Sequence, residues 1–339
     1  MNTLTPIRRR LKQEVASNGD GSGPECQPDP KKPPDPRIKA LWRFATSITI
    51  FTVAGAFFLG FEDPWVQPLV ALATAYTLEF VLENIEAWSC GRPPCYAGKG
   101  VKGFIEFLLP AHITALSVAF LIYPGSRMGL IVFAVAIAEC SKFIFTARVK
   151  GRKRHFLNPS NFGIAVTLLA FPSVGITPAY HFTENVSHNA LAWVIPILII
   201  CAGTMLNVML TKKWPLILGW IGGFVVQAVL RSAIFGTPLV APLLPMTGLV
   251  FWLYTNYMIT DPGTTPVKPR NQAVFGASVA LVYGVLVVAH VAFGLFFALT
   301  IVCALRGLVL YAPTWQAALV SRMRPAATPV GKPAGEVVS

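Results

Sequence analysis

Acidic residues are scarce in this chain: 15 Asp and Glu stand among 339 residues, against 28 Lys and Arg. Charged residues make up only 13% of the sequence, about half the share usual in soluble domains. So few charges cannot cover a surface that water must wet on every side. Cysteines are few and scattered, at positions 26, 90, 95, 140, 201 and 303, which excludes the framework of a small secreted disulfide protein. No Ser–His–Asp set, Walker-type phosphate loop or zinc-protease signature occurs, which argues against an autonomous hydrolase or ATPase. No cleavable signal peptide is visible, because the first apolar run follows a long Pro- and charge-rich tail.

What is abundant is apolar. Hydrophobic residues reach 54% and the mean hydropathy is +0.58. Several runs attain the ~20 residues that a helix needs to cross a ~30 Å hydrocarbon core. They lack the dyad alternation of barrel strands, and only helices or closed barrels satisfy their backbones in lipid. The sequence therefore predicts an all-α, polytopic integral membrane protein with about ten transmembrane helices. The net charge of +13 is concentrated in tails and a few loops. That placement follows from the positive-inside rule, so nucleic acid is not an expected partner and the lipid bilayer is.

Residues 1–40 read as a disordered cytoplasmic tail, with Arg8-Arg9-Arg10, a Gly/Ser stretch and a Pro-rich stretch from Pro28 to Pro36. A ten-helix transmembrane domain is expected over 41–312, with spans near 42–61, 65–87, 104–122, 128–147, 162–178, 190–210, 214–231, 239–259, 273–290 and 293–311. A mobile cytoplasmic tail, 313–339, follows. With the N-terminus inside, 24 of the 28 Lys and Arg fall on the inner side. Arg127 and Arg231 fall outside, while Lys142 and Arg306 lie within spans. The expectation is a multi-pass protein of the cell (plasma) membrane with both termini cytoplasmic. Ten spans divide into five and five, and an odd-numbered second copy would be inverted. Leu109-Pro110-Ala111-His112-Ile113-Thr114 and Leu244-Pro245-Met246-Thr247-Gly248 give the two halves a weak internal likeness.

Ionisable residues inside spans are costly and default to a functional reading. Glu79, Glu83 and Glu86 share one face of the second span at i, i+4, i+7. Glu86 lies near the inner rim, where solvent can reach it. The fourth span carries Glu139 and Lys142. At the helical rise, Glu79 and Lys142 sit at equal depth, roughly 21–22 Å from the outer ends of their spans. Lys142 is expected to pair with Glu79 or Glu83, either as structural glue or as part of an ion path.

Two inner loops also stand out. The first, Arg154-His155-Phe156-Leu157-Asn158-Pro159-Ser160-Asn161-Phe162-Gly163, leads into the fifth span, with Ser160 or Asn161 able to cap the helix. The second runs Ile259-Thr260-Asp261-Pro262-Gly263-Thr264-Thr265-Pro266 through Lys268 and Arg270 into the ninth span. Each reads as an ordinary capped connection. Together they read as one anion-binding site on the inner face, built on two helix N-termini with Arg154, Lys268 and Arg270.

The pair of loops, in this order and spacing, resembles the membrane subunits RnfD, of the Rnf electron-transport complex, and NqrB, of the sodium-translocating NADH:quinone oxidoreductase. Those proteins carry a His-x-x-Asn-Pro turn before one span and a Thr-Asp-Pro turn, with a following Arg and Phe-Gly, before a later one. Here the matching residues are His155, Asn158, Pro159 and Gly163, then Thr260, Asp261, Pro262, Arg270, Phe275 and Gly276. Lys142 also looks like a lysine of that family. The strings Leu-Pro-Ala-His-Ile-Thr-Ala at 109–115 and His-Phe-Leu-Asn-Pro-Ser-Asn-Phe-Gly-Ile at 155–164 are similar to the branch encoded with enediyne polyketide clusters (UnbU). The resemblance implies an electron-transfer subunit rather than a stand-alone enzyme, with other membrane or redox subunits as partners. It places a noncovalent FMN or riboflavin against His155, Asn158, Asn161, Gly163, Thr260, Asp261, Thr264, Thr265 and Arg270.

One departure matters. Respiratory members attach FMN covalently through a Thr in an outer loop after the fifth span. Here that loop, Pro178 to Asn189, holds Thr183 without the surrounding motif, and Thr237 lies in another loop without the preceding acid. Covalent FMN is not expected. Nor is a metal: Cys90 and Cys95 are a free C-x4-C pair too small for a four-ligand site. His112 reads as satisfying a helix end rather than binding haem. Three functions stay open, namely a redox-linked subunit, a transporter or permeation pathway for an ion or small hydrophobic molecule, and a membrane factor in enediyne biosynthesis.

Overall fold

A computed structural model of the chain describes residues 36–149, 152–178 and 190–323. The expected tail over 1–35, the outer loop with Thr183, and the chain after 323 lie outside the described residues. Helix α1 (Pro36–Ala54) runs on into a π-helical turn, Gly55–Leu59, closed by Gly60 at φ 71°. It is followed by α2 (Val66–Cys90) and α3 (Gly100–Leu121), which keeps Pro110 inside it. After β1 (Ile122–Tyr123) come α4 (Met128–Ile144), β2 (Thr146–Val149), β3 (Arg152–His155), α5 (Pro159–Ala170) and β4 (Gly175–Ile176). Helix α6 (Leu191–Leu206) also ends in a π turn, Asn207–Thr211, and α7 spans Trp214–Phe235. The next segment is broken into α8 (Val240–Leu243), a 3₁₀ turn, α9 (Leu249–Leu253) and a π turn over Tyr254–Met258. Helices α10 (Pro269–Val288) and α11 (Gly294–Met323) complete the chain.

The architecture is mostly helical, polytopic and membrane-like. Among the described residues, six helices are long and apolar enough to cross a membrane: Ile38–Leu59, Gly100–Leu121, Ala192–Met209, Trp214–Phe235, Pro269–Val288 and Gly294–Tyr311. The other four expected spans fall short for identifiable reasons. α2 has the length but carries three glutamates, and α4 stops after 17 residues. α5 reaches only 12 residues, and the eighth is interrupted at the Leu244-Pro245 and Gly248 positions.

The class is all-α, as expected, with two short additions: β2 and β3 form an antiparallel hairpin in the connection before α5, and β1 pairs with β4. Two boundaries need correction. The first helix starts at Pro36 rather than after a tail ending at 40. The last continues to Met323, so the boundary at 312 falls inside a helix rather than at the start of a tail.

Two ends of the bundle are distinct. At one, β1 and β4 pair, Gln67 donates to the carbonyls of Ala119 and Ile122, and Arg127 holds Ser173. The other, here called the basic end, carries the β2–β3 hairpin and the loops around residues 92, 213 and 261. The hairpin docks there by Tyr311 donating to the Thr146 carbonyl and by Phe156 standing edge-on to Tyr311. α2 packs on α3 and α4, and α4 on α5; in the second half α7 packs on α10, and α10 on α11. α5 against α11 joins the halves. The α7–α10 contact is a small-residue interface: a Cβ on Gly276 would collide with the Leu216 carbonyl, and one on Gly219 with that of Ala273.

Candidate functional site

At the basic end, sequence chemistry first fixes each loop and then joins them. Asn158 has extended backbone, φ −69° and ψ 118°, with Pro159 at the first helical position. Its side-chain oxygen accepts from the Asn161 backbone N–H at 3.1 Å and from the Ser160 hydroxyl at 3.0 Å. Asn158 is therefore the cap of α5, in place of Ser160 or Asn161. The second loop is an Asp-centred turn. Asp261 Oδ1 accepts from Gly263 N at 3.0 Å, and Oδ2 from the Thr264 hydroxyl at 2.9 Å. The Thr265 hydroxyl donates to the Asp261 carbonyl at 2.5 Å and the Thr260 hydroxyl to that of Asn256 at 2.6 Å. These hydroxyls are spent on holding the turn.

The loops meet. Asn158 Nδ2 donates to the Met258 carbonyl at 2.8 Å across 100 residues of sequence. His155, at the end of β3, lies so close that a Cβ built on Gly263 would stand 2.8 Å from its Nε2. Two of the expected residues point elsewhere. Asn161 Nδ2 donates to the Phe296 carbonyl and Thr300 hydroxyl of α11, both at 2.9 Å. Gly163 faces α4, where a Cβ would run into the Ala134 carbonyl, so helix packing accounts for this glycine. Arg270 and Lys268 are exposed at the start of α10.

The cations drawn into the junction are different ones. Lys213 Nζ donates to the Pro266 carbonyl at 2.8 Å, and Arg306 Nη1 to the Thr264 carbonyl. Burial pushes the Lys213 ammonium down to about 8; Asp261 opposes the shift, and Arg306 and Arg154 add to it through space. Lys213 and Arg306 were missed in the sequence. Arg306, a cation inside an apolar span, was the available signal.

The second cluster lies between α2 and α4. Lys142 Nζ stands 2.6 Å from Glu139 Oε2 and 3.4 Å from Glu79 Oε2. Glu139 is 0% exposed. Glu83 does not reach Lys142. It takes both arms of Arg92, at 2.6 and 3.1 Å, and accepts from Cys95 N at 2.7 Å. Glu86 bridges Arg92 and the hairpin's Lys153 rather than being left to solvent. Every glutamate on this face of α2 is thus matched by a cation from a different element. The arrangement pins α2 to α4, to its own C-terminal loop and to the hairpin.

Other candidates resolve simply. Cys90 is a free, exposed thiol while Cys95 is disulfide-bonded, so they are not a free pair. His112 sits mid-helix rather than at a helix end, bridging Tyr76 Oη and Thr49 Oγ1, each at 2.7 Å. The Thr49 hydroxyl already donates to the Ala45 carbonyl at 2.8 Å. It must therefore accept from His112 Nε2–H, leaving Nδ1 to accept from Tyr76. Both ring nitrogens are occupied in tying α1 to α2 and α3. Among the described residues no group of three or more His, Cys, Asp or Glu could hold a metal ion. No protein-family model matches the sequence, and no curated protein is significantly similar to it.

Proposed function

We propose that the chain is a membrane protein of the RnfD/NqrB kind, serving a redox-linked or enediyne (polyketide natural product) biosynthetic step. In this reading it holds a noncovalent FMN or riboflavin where its two loops join, with partner redox subunits in the cell membrane. One observation carries it: the Asn158–Met258 hydrogen bond brings the two motifs behind the resemblance to one place, though 100 residues separate them. The donor set suits a flavin, since Lys213 and Arg306 keep further N–H groups beyond those given to loop carbonyls. About ten passes and an inverted five-plus-five repeat are part of the proposal. Three parallels support the repeat: the first and sixth segments both end in π turns, at Gly55–Leu59 and Asn207–Thr211. A Leu-Pro pair lies in both the third and the eighth, although only the eighth is broken there, and the packing of α2 on α4 is matched by that of α7 on α10. Cytoplasmic termini follow if the basic end faces inward.

Purification in detergent from riboflavin-fed cells tests the flavin. Acid precipitation should release a yellow, fluorescent supernatant and leave a non-fluorescent pellet. Colourless protein that also fails to quench added FMN or riboflavin would end this reading, and a fluorescent pellet would overturn its noncovalent part.

A second reading, a pathway for an ion or small molecule, is favoured by the cluster of Lys142, Glu139 and Glu79, because buried ionisable groups often mark such routes. Proteoliposomes would show a proton or sodium flux lost in Glu139→Gln; flux unaltered by that change would count against it.

A further inference from the structure

The junction of the two loops holds more positive charge than its own carboxylate balances. Lys213 is 4% exposed, yet its hydrogen bond is to a neutral carbonyl, that of Pro266. Among the described residues no carboxylate lies within 4.0 Å of its ammonium. Arg306 likewise spends one donor on a neutral carbonyl, that of Thr264. The two carbonyls belong to the same short turn, so the ammonium and the guanidinium are drawn to one place. Arg154 is exposed beside them and is near enough to act on Lys213 through space. The carboxylate that acts on Lys213, Asp261, is committed to Gly263 N and the Thr264 hydroxyl. Burying an ammonium without a counter-ion is expensive, and the depressed Lys213 value, about 8, is the expected symptom.

We propose that this junction binds a phosphate-type oxyanion, with Lys213 and Arg306 as its inner ligands and Arg154 at its mouth. The pairing of a point-charge ammonium with a planar guanidinium fork suits the several oxygens of a phosphoryl group. The inference rests on the two loops forming one site, but not on a flavin filling it. The phosphoryl group has three possible bearers of the same chemistry: FMN, a phospholipid headgroup, or free phosphate. The competing account is that Lys213 and Arg306 only staple the turn to α7 and α11.

Thermal unfolding of the full chain in neutral detergent tests the proposal. The probes are inorganic phosphate, FMN, riboflavin, and short-chain phosphatidic acid against phosphatidylcholine, each beside potassium chloride of equal ionic strength. A saturable rise in the midpoint is expected with at least one phosphoryl probe and not with chloride. Lys213→Gln and Arg306→Gln should abolish it. Arg154→Gln breaks no hydrogen bond among the described residues, so it decides the matter if the buried variants fail to fold; it should weaken binding about tenfold. FMN outbinding riboflavin identifies a flavin phosphate, phosphatidic acid outbinding phosphatidylcholine a lipid, and phosphate alone a free anion. Equal binding of riboflavin and FMN, untouched by Arg154→Gln, would remove the oxyanion site and leave the flavin reading standing. Phosphate binding with neither flavin binding would do the reverse. No phosphoryl probe exceeding chloride would overturn the proposal.

Discussion

Lys142 Nζ lies 2.6 Å from Glu139 Oε2, one turn back along the same helix, and the ion pair faces the carboxylate of Glu79 on α2. Removing the lysine would leave a carboxylate that is 0% exposed beside a second one, with no cation between them. Breaking a buried ion pair from one side costs about 3–5 kcal/mol, so Lys142→Met should sharply lower the thermal midpoint or the membrane level. Adding Glu139→Gln to it should recover part of the loss. Wild-type stability in the single variant, followed by detergent unfolding, would show that the cluster is not structural.

How far this was legible follows from where the periodicity of a helix applies. Glu79 and Lys142 could be matched in depth because both lie on regular helices, and Glu139 stands at i, i+3 from Lys142. The partner of Glu83 could not, because Arg92 reaches back from a loop whose path no spacing rule gives. The β2–β3 hairpin was hidden because Thr146 to His155 is dominated by cations, which the inner face of a membrane protein carries in any case. The loops forming the junction were recognised from their turn residues. Its buried cations were not, since Lys213 reads as one more inner lysine, and Arg306 belongs to a helix far along the chain. Asn161 and Gly163 share the motif but turn to α11 and α4, because successive positions on one helix face different neighbours.

The α7–α10 interface makes a contrast between two glycines one turn apart. A side chain at Gly219 would meet the Ala273 backbone, and one at Gly276 the backbone of α7, whereas at Gly222 a Cβ meets nothing within 4 Å. Gly219→Val should therefore cost about 1–3 kcal/mol through forced separation of the helices. Gly222→Ala should be neutral or stabilising by up to ~1 kcal/mol from helix propensity. Unfolding midpoints of the two variants measure this, and equal effects would mean that the helices do not approach as closely as described.

Asn158 does two separable jobs. Its oxygen caps α5 and its Nδ2 holds the Met258 carbonyl. Asn158→Asp keeps the cap and loses the donor; Asn158→Ala loses both, at about 1 kcal/mol for the cap and about 1–3 kcal/mol for the stranded carbonyl. Freed of its tie, the second loop and the start of α10 should become more open to trypsin at the exposed Arg270, the bond after Lys268 being closed to the protease by Pro269. Faster cleavage is expected in both variants, with the larger loss of thermal stability in the alanine. Cleavage unchanged in both would mean that the two loops hold their positions independently.

The loop between α1 and α2 contains a carboxyl whose titration has a readable sign. Burial, with Glu62 adjacent, raises the Asp63 carboxyl from 3.8 to about 7, against a hydrogen bond from Gln67 that favours the charged form. Phe61, Pro64 and Trp65 line the same apolar crevice with Asp63, beside Thr52 of α1 and Leu116 of α3. In the unfolded chain the group loses its proton near 3.8, whereas the folded protein keeps it to about 7. Between these values the native state binds more protons, so this group's contribution to stability falls as pH rises through that window. Above pH 7 the whole cost of ionising a half-buried carboxyl is carried. Asp63→Asn, which stays neutral, should therefore be more stable than wild type at pH 8 and nearly equal to it at pH 4. Midpoints measured across that range in one buffer system would show the difference growing with pH. A constant difference would mean that Asp63 titrates in the folded protein as it does in water.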